Sequence, residues 1–342
     1  MNSDHLDRGF FILEKNLSLV VFPLVFLLST KLEQKTIERL LNLFLFNIIL
    51  VGIICFYHSI FLILSNGSLI DQKKLLDREY YYFTYSYLSS GIGMNPIYLG
   101  MYVNFSIALV IGKILNNSKR FLYILAFFFL SIFLILLLSK INIIVFILLL
   151  IVASTYRVKR NKANILYLSL VMFLVFLTLF FVKPVKDRVI NINYFTYDID
   201  QSHIGFWNGA NLRMAIWKCA MDPIKDNWLL GVGTGDEKEA LLNAYKDNGF
   251  KLGLITEYNT HNQWLEFSLR FGIVFSLIIM YANFIIPLII GYKSDYKLFI
   301  FMVIISLASL TEVILATQKG VVFYSLFATL FLSQKPFKSE NE

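Results

Sequence analysis

Apolar and polar positions in this chain segregate into whole segments. Apolar stretches fill most of residues 17–182, give way to a polar stretch over 183–263, and resume from Trp264 to Leu332. A helical span needs about 20 apolar residues, fewer when flanking side chains snorkel. That measure predicts nine spans, at 17–30, 40–64, 95–112, 121–139, 141–156, 164–182, 264–290, 297–317 and 320–334. Backbone groups cannot stay unpaired in lipid, and the run from Phe127 to Leu138 lacks the alternation of a barrel strand. The expected fold is an all-α polytopic membrane protein with about nine transmembrane helices and one large external loop. Its expected divisions are membrane helices over 1–182, the loop over 183–263, and membrane helices with a cytoplasmic tail over 264–342.

Composition agrees with this pattern. Hydrophobic residues make up 57% and charged residues 16%, with mean hydropathy +0.65, outside the usual soluble range. The net charge of +8 sits largely in short loops between spans. Basic loops of this kind set membrane orientation, so no nucleic-acid partner is needed to explain them. Arg157, Lys159, Arg160 and Lys162 place the 156–163 loop in the cytoplasm, and counting outward puts 65–94, the 183–263 segment and the N-terminus outside. The opening residues Met1 to Arg8 do not read as a signal peptide. Cys55 and Cys219, one in an apolar run and one in the polar segment, suggest neither a disulfide nor a metal site.

Most of the plausible chemistry lies in the polar segment. Asn211 to Met221 has helical spacing, with Leu212, Ala215, Ile216, Cys219 and Ala220 on one stripe and Asn211 as its cap. Arg213 then falls in the first turn, where free N–H groups already favour anions and a guanidinium fork suits a diphosphate. A surface Arg213 paired with Asp200 or Asp222 fits the same pattern. Pro223 is expected to break the helix. Gly231, Gly233 and Gly235 allow a tight turn and close backbone approach to a ligand, although a Gly-rich loop is most often only a turn. The spacing is neither a dinucleotide fingerprint nor a Walker loop. Asp236 is expected to cap a helix over 237–247. His261 and Asn262 stand at the head of the next apolar helix, where an imidazole either acts as a general base or caps the helix. No H-E-x-x-H or G-x-S-x-G pattern is present, so zinc and serine-hydrolase readings fail.

Outside that segment, Asn95 and Tyr98 in Gly93-Met-Asn-Pro-Ile-Tyr98 stand at the start of a span, either capping it or lining a substrate entrance. Glu312 and Gln318 flank a short break between the last two spans. An acidic residue there snorkels, pairs with an arginine or serves catalysis. A lipid transporter or flippase is the rival from another class. It calls for charges and broken helices at mid-membrane, and these spans are nearly devoid of charge.

In order, the chain presents Asn-Leu-Arg213-Met-Ala-Ile-Trp, Gly231-Val-Gly-Thr-Gly, and His261-Asn262 heading a helix that reaches Arg270-Phe-Gly-Ile. With the Gly93–Tyr98 motif and the closing Leu310-Thr-Glu-Val-Ile-Leu-Ala-Thr-Gln-Lys-Gly320, this order resembles the bacterial O-antigen ligase and polymerase family from about residue 85 onward. The resemblance implies a membrane glycosyltransferase of GT-C-like type in the bacterial inner membrane, active on the periplasmic face without metal or cofactor. Its implied donor is a glycan on undecaprenyl diphosphate. Its implied acceptor is a lipid A-core sugar in ligases or a carrier-linked glycan in polymerases. Among the positions here, Arg213 and His261 would be catalytic. Arg188 would be a second diphosphate contact, with Asn262, Gly231, Gly233, Asn95 and Tyr98 around the substrate. The family also implies further helices ahead of the first one here.

Overall fold

The structure, a computed structural model, describes residues 5–29, 31–66, 82–116, 120–157, 199 and 209–334. The predicted span over 164–182 and Arg188 lie outside the described residues. By contact the chain forms two compact units, one comprising Leu32–Ile192 and the other Met1–Lys31 with Asn193–Glu342.

The second unit opens with α1 (Leu6–Lys15) and α2 (Ser18–Leu28), which meet at a 40° bend. The first unit follows with α3 (Gln34–Asn66), α4 (Tyr85–Ser90), α5 (Pro96–Asn116), α6 (Arg120–Leu136) and α7 (Lys140–Arg157). The chain then returns to the second unit in α8 (Gly209–Asp226), α9 (Glu237–Asp247), α10 (Lys251–Thr256) and α11 (Gln263–Met280). A π-turn over Tyr281–Ile285 leads into α12 (Ile286–Ser294), followed by α13 (Tyr296–Ser309) and α14 (Gln318–Leu332). Among the described residues there is no strand.

Each predicted span that falls within the described residues coincides with an apolar helix, but the lengths are uneven. Three stretches are long and apolar enough to cross a bilayer, Gln34–Ser65, Pro96–Ile114 and Gln263–Ser294, with a fourth if the bent α1–α2 pair counts as one. The span predicted at 297–317 is a 14-residue helix, about 21 Å at 1.5 Å per residue, followed by a break. It falls short of a hydrocarbon core of about 30 Å. Leu43, Phe46, Leu50, Ile53 and Tyr57 leave one face of α3 exposed and apolar, as expected of a helix facing lipid.

In the Leu32–Ile192 unit, α5 packs on α3, α6 and α7 around Leu99, Val103, Phe133 and Phe146. Asn142 Nδ2 donates to Ile97 O at 2.9 Å and to Ser139 Oγ at 2.8 Å, while Asn104 Nδ2 donates to Asn142 O at 3.0 Å. Buried polar groups are costly unless bonded, so this cluster fixes one register of α5 against α7. Gly100 is required there, because a Cβ would lie 2.4 Å from Asn142 Nδ2.

In the other unit, the stripe read from sequence becomes a core. Ala215, Ile216, Cys219, Ala220 and Ile224 of α8 pack with Leu241, Ala244, Tyr245, Phe250 and Leu269. Burial, with Asp222 adding to it, pushes the Cys219 thiol up to about 11, so it behaves as an inert packing residue. Pro223 does not end α8, which runs from Gly209 to Asp226. It sits in the last turn, where losing one N–H costs a single bond near an end that frays anyway. Asp236 does not cap α9 with its side chain. Its Oδ1 instead accepts from the His5 N–H at 3.0 Å.

Candidate functional site

The site is assembled from three places in the sequence. The first is α8, which starts at Gly209, ahead of the expected Asn211 cap, and carries Arg213 as its fifth residue. The second is the approach to α11. There Asn262 caps the helix, its Oδ1 accepting from Trp264 N at 2.9 Å and Leu265 N at 3.2 Å. The third is the break between α13 and α14. It contains Thr311, Glu312 and one 3-10 turn over Ile314–Ala316.

Several hydrogen bonds join the break to the head of α11. Asn262 Nδ2 donates to Leu310 O at 3.1 Å, and Leu315 N donates to Gln263 Oε1 at 2.7 Å. Trp217 Nε1 in α8 donates to Thr260 O at 3.0 Å, and Thr260 Oγ1 donates to Glu266 Oε2 at 2.8 Å. His261 is thus held from both sides. Its backbone lies in the left-handed region at φ 45°, and its N–H donates to Asn259 Oδ1 at 3.0 Å. A strained non-glycine residue kept in place by its surroundings is what functional sites often contain.

Glu312 is the hub. Its side chain is 5% exposed. Oε1 lies 3.0 Å from Arg213 Nη2, and both carboxylate oxygens lie 3.2 Å from His261 Nδ1. The geometry suits an imidazole that donates from Nδ1 to this carboxylate, which turns Nε2 away from it. Nε2 has no hydrogen-bond partner among the described residues. Three of the five N–H groups of Arg213 are engaged. Nε donates to Thr311 O at 3.1 Å, Nη1 to Gly209 O at 2.7 Å, and Nη2 to Glu312. The side chains of Arg213 and His261 are 20% and 22% exposed, so both remain within reach of a ligand.

A second charged cluster supports the first. Arg270 Nη2 lies 2.5 Å from Glu266 Oε1 and 3.5 Å from Glu237 Oε1, which is also 3.5 Å from Arg8 Nη2. Burial raises the Glu237 carboxyl above its ordinary value, with Arg270 pulling against it. Arg270 Nε and Glu237 Oε2 have no hydrogen-bond partner among the described residues.

The glycine loop meets this cluster at a break in α11. Gly272 has φ 77°, outside the helical region. The break frees the carbonyls of Leu269 and Arg270, which accept from Val232 N at 2.8 Å and Gly233 N at 3.1 Å. In return Ile273 N donates to Trp228 O at 2.7 Å, and Gly231 N donates to Asn227 O at 2.8 Å. The N–H groups of Gly231 and Gly233 therefore hold protein carbonyls. Asn262 is similarly committed to capping α11 and to Leu310. In the other unit, Asn95 Oδ1 accepts from Ile97 N at 2.8 Å at the start of α5, and Tyr98 is buried. Among the described residues, no three or more His, Cys, Asp or Glu side chains are placed to hold a metal ion. A cleft of about 740 Å³ lies elsewhere, lined by His5, Asp7, Arg8, Lys238 and Glu239, none of them among the expected site residues.

The geometry of Arg213 and His261 on one carboxylate was only partly legible in sequence. Glu312 stood out as an acidic residue at a span break. Its partner Arg213 lies 99 positions away, and no local signal links them.

Membrane-length apolar helices, with Arg213 and His261 clustered on a buried carboxylate at a helix break, define a membrane protein. Residues 125–280 match the family model described as O-antigen ligase, and Arg213, Gly231, Gly233, His261 and Asn262 lie within the match. The match ends before Glu312. It supports a function of the O-antigen ligase and polymerase type and lipid-linked glycan substrates. No curated protein matches the chain.

Proposed function

We propose that this chain is a glycosyltransferase of the O-antigen ligase type. It moves a glycan from undecaprenyl diphosphate to a lipid A-core sugar on the periplasmic face of the bacterial inner membrane. The observation that carries this reading is the convergence of Arg213 and His261 on Glu312. In the proposed reaction, the acceptor hydroxyl oxygen bonds to the anomeric carbon of the donor glycan. The bond from that carbon to the phosphate oxygen breaks, and its electron pair leaves on the diphosphate. Arg213 stabilises the departing charge, and His261 Nε2 takes the hydroxyl proton. A fixed guanidinium can do this without a metal. Arg188 is proposed as a second diphosphate contact. Gly231, Gly233 and Asn262 shape the substrate's surroundings through the backbone geometry they hold. A polymerase would use the same donor chemistry with a carrier-linked glycan as acceptor.

The test is a cell-envelope gel on strains carrying Arg213→Ala or His261→Ala at native protein levels. Removing one preorganised donor or one general base costs roughly 100-fold or more in rate. Both strains should therefore lose the ladder of glycan-capped lipid A-core. Normal ladders in both would refute the assignment. Core bearing a single repeat would instead mark the chain as a polymerase.

A further inference from the structure

We propose that Glu312 is a positioning residue with two successive partners. It neutralises Arg213 while the site is empty, and donor binding hands it over to His261. The inference rests on the reading above, in which Arg213 receives the donor diphosphate.

Three observations lead to it. First, one atom serves two groups, since Glu312 Oε1 is 3.0 Å from Arg213 Nη2 and 3.2 Å from His261 Nδ1. Second, three of the five N–H groups of Arg213 are engaged, by Gly209 O, Thr311 O and Glu312, so a diphosphate arriving at the rest comes up beside the Glu312 carboxylate. Glu312 is what it displaces. Two anions cannot share one guanidinium edge without repulsion, whereas the neutral carbonyls do not repel a phosphate. Third, Glu312 is 5% exposed and cannot retreat into water. A buried carboxylate that loses its cation must find another or take up a proton.

His261 is already in place to be that partner, with Nδ1 facing both carboxylate oxygens. Among the described residues the Tyr258 ring also lies beside the imidazole, with centroids 5.6 Å apart, and the uncharged Asn259 side chain accepts from the His261 backbone N–H. None of these competes for the carboxylate. Once Arg213 turns to the diphosphate, the whole charge of Glu312 bears on the imidazole. It then stabilises the imidazolium that forms when Nε2 takes the acceptor proton. Glu312 therefore serves the imidazole alone only when the donor is bound. That order protects against proton abstraction from water or from an acceptor with nothing to attack.

The test separates anion binding from turnover. Binding of inorganic pyrophosphate to the purified full chain in detergent is measured by calorimetry for the native protein, Glu312→Gln and Arg213→Ala. Removing the competing carboxylate should tighten binding at least about fivefold in Glu312→Gln, a shift typical of coupling between sites. The same variant should lose the lipid A-core ladder, and Glu312→Asp should restore part of it. Tighter binding together with lost transfer cannot come from misfolding. Equal or weaker pyrophosphate binding by Glu312→Gln, or a normal ladder, overturns the handover. Binding by Arg213→Ala equal to native would instead remove the premise that Arg213 receives the diphosphate.

Discussion

Glu237 shows how one residue's burial becomes a property that can be measured. It lies in the first turn of α9, against Arg270 and Arg8, with Oε2 unpaired. Desolvation is the largest influence on it and raises its carboxyl above the ordinary value. Arg270 and Arg8 lower it, and Glu266 raises it further. A carboxyl with a raised folded-state pKa binds its proton more tightly in the folded chain than in the unfolded one. Its contribution to stability is complete below the unfolded value of about 4.3 and is lost as pH rises through the folded value. Glu237→Gln keeps the shape and removes the titration. The stability of the native chain relative to Glu237→Gln, from thermal unfolding in detergent, should therefore fall as pH rises above about 4. A difference that stays flat or rises over that range would mean the arginines outweigh burial. Arg270 is confined in the same way, between Glu266 and Glu237 with its side chain 5% exposed. Such clusters seldom add net stability over apolar packing, so their use here is to fix one arrangement, with Glu266 holding Thr260 beside His261.

At the scale of elements, breaks in helices place the chemistry. Before Gly272, α11 buries Gln263, Glu266 and Arg270. After it, Ile273, Val274, Phe275, Leu277 and Ile278 are exposed and apolar. The Gly272 break divides a polar, site-bearing segment from a lipid-facing one, and the glycine loop caps the freed carbonyls. A further break has its own remedy. Pro287 in α12 lacks the N–H that would reach Asn283 O, and the Tyr324 hydroxyl donates to that carbonyl at 2.6 Å. Alanine at 272 would need a positive φ and would place its Cβ 2.3 Å from Leu229 O. Left-handed backbone alone costs about 1–2 kcal/mol for such a residue. Gly272→Ala should therefore lower stability by at least about 2 kcal/mol and weaken the lipid A-core ladder. Unchanged unfolding temperature would show that the loop–helix junction tolerates rearrangement. These features explain what was legible in sequence. The α8 stripe and the 237–247 helix follow from local periodicity, and the structure has both. The Pro223 break failed because a proline in the last turn forfeits a single bond, and the Asp236 cap failed because its carboxylate accepts from the remote His5 N–H. The role of the glycine loop and the place of Glu312 were hidden because each depends on a partner remote in sequence, Arg270 for one and Arg213 for the other.

At the scale of the chain, the packing of α1 constrains how the protein sits in its membrane. His5 Nε2 lies 2.6 Å from Glu239 Oε2, and the His5 N–H reaches Asp236 Oδ1. Arg8 Nη2 is 3.5 Å from Glu237 Oε1, and Gly9 and Ile12 are buried. Polar contacts of this kind do not form across a hydrocarbon layer, so α1 and α9 must share one side of the bilayer. Counting basic loops put the N-terminus and the 183–263 segment outside, a first helix entering from outside being the less usual arrangement. The contact between α1 and α9 joins those two expectations into one. Both native cysteines are buried, so single cysteines at exposed positions report cleanly. In whole cells opened only at the outer membrane, Asp7→Cys and Lys246→Cys should both react with a membrane-impermeant maleimide. If the orientation is reversed, neither should react until the inner membrane is permeabilised, and the proposed periplasmic site would fail with it. Labelling of one without the other would separate α1 from α9. It would also break the tie between the N-terminal helix and the Glu237–Arg270–Glu266 cluster behind His261.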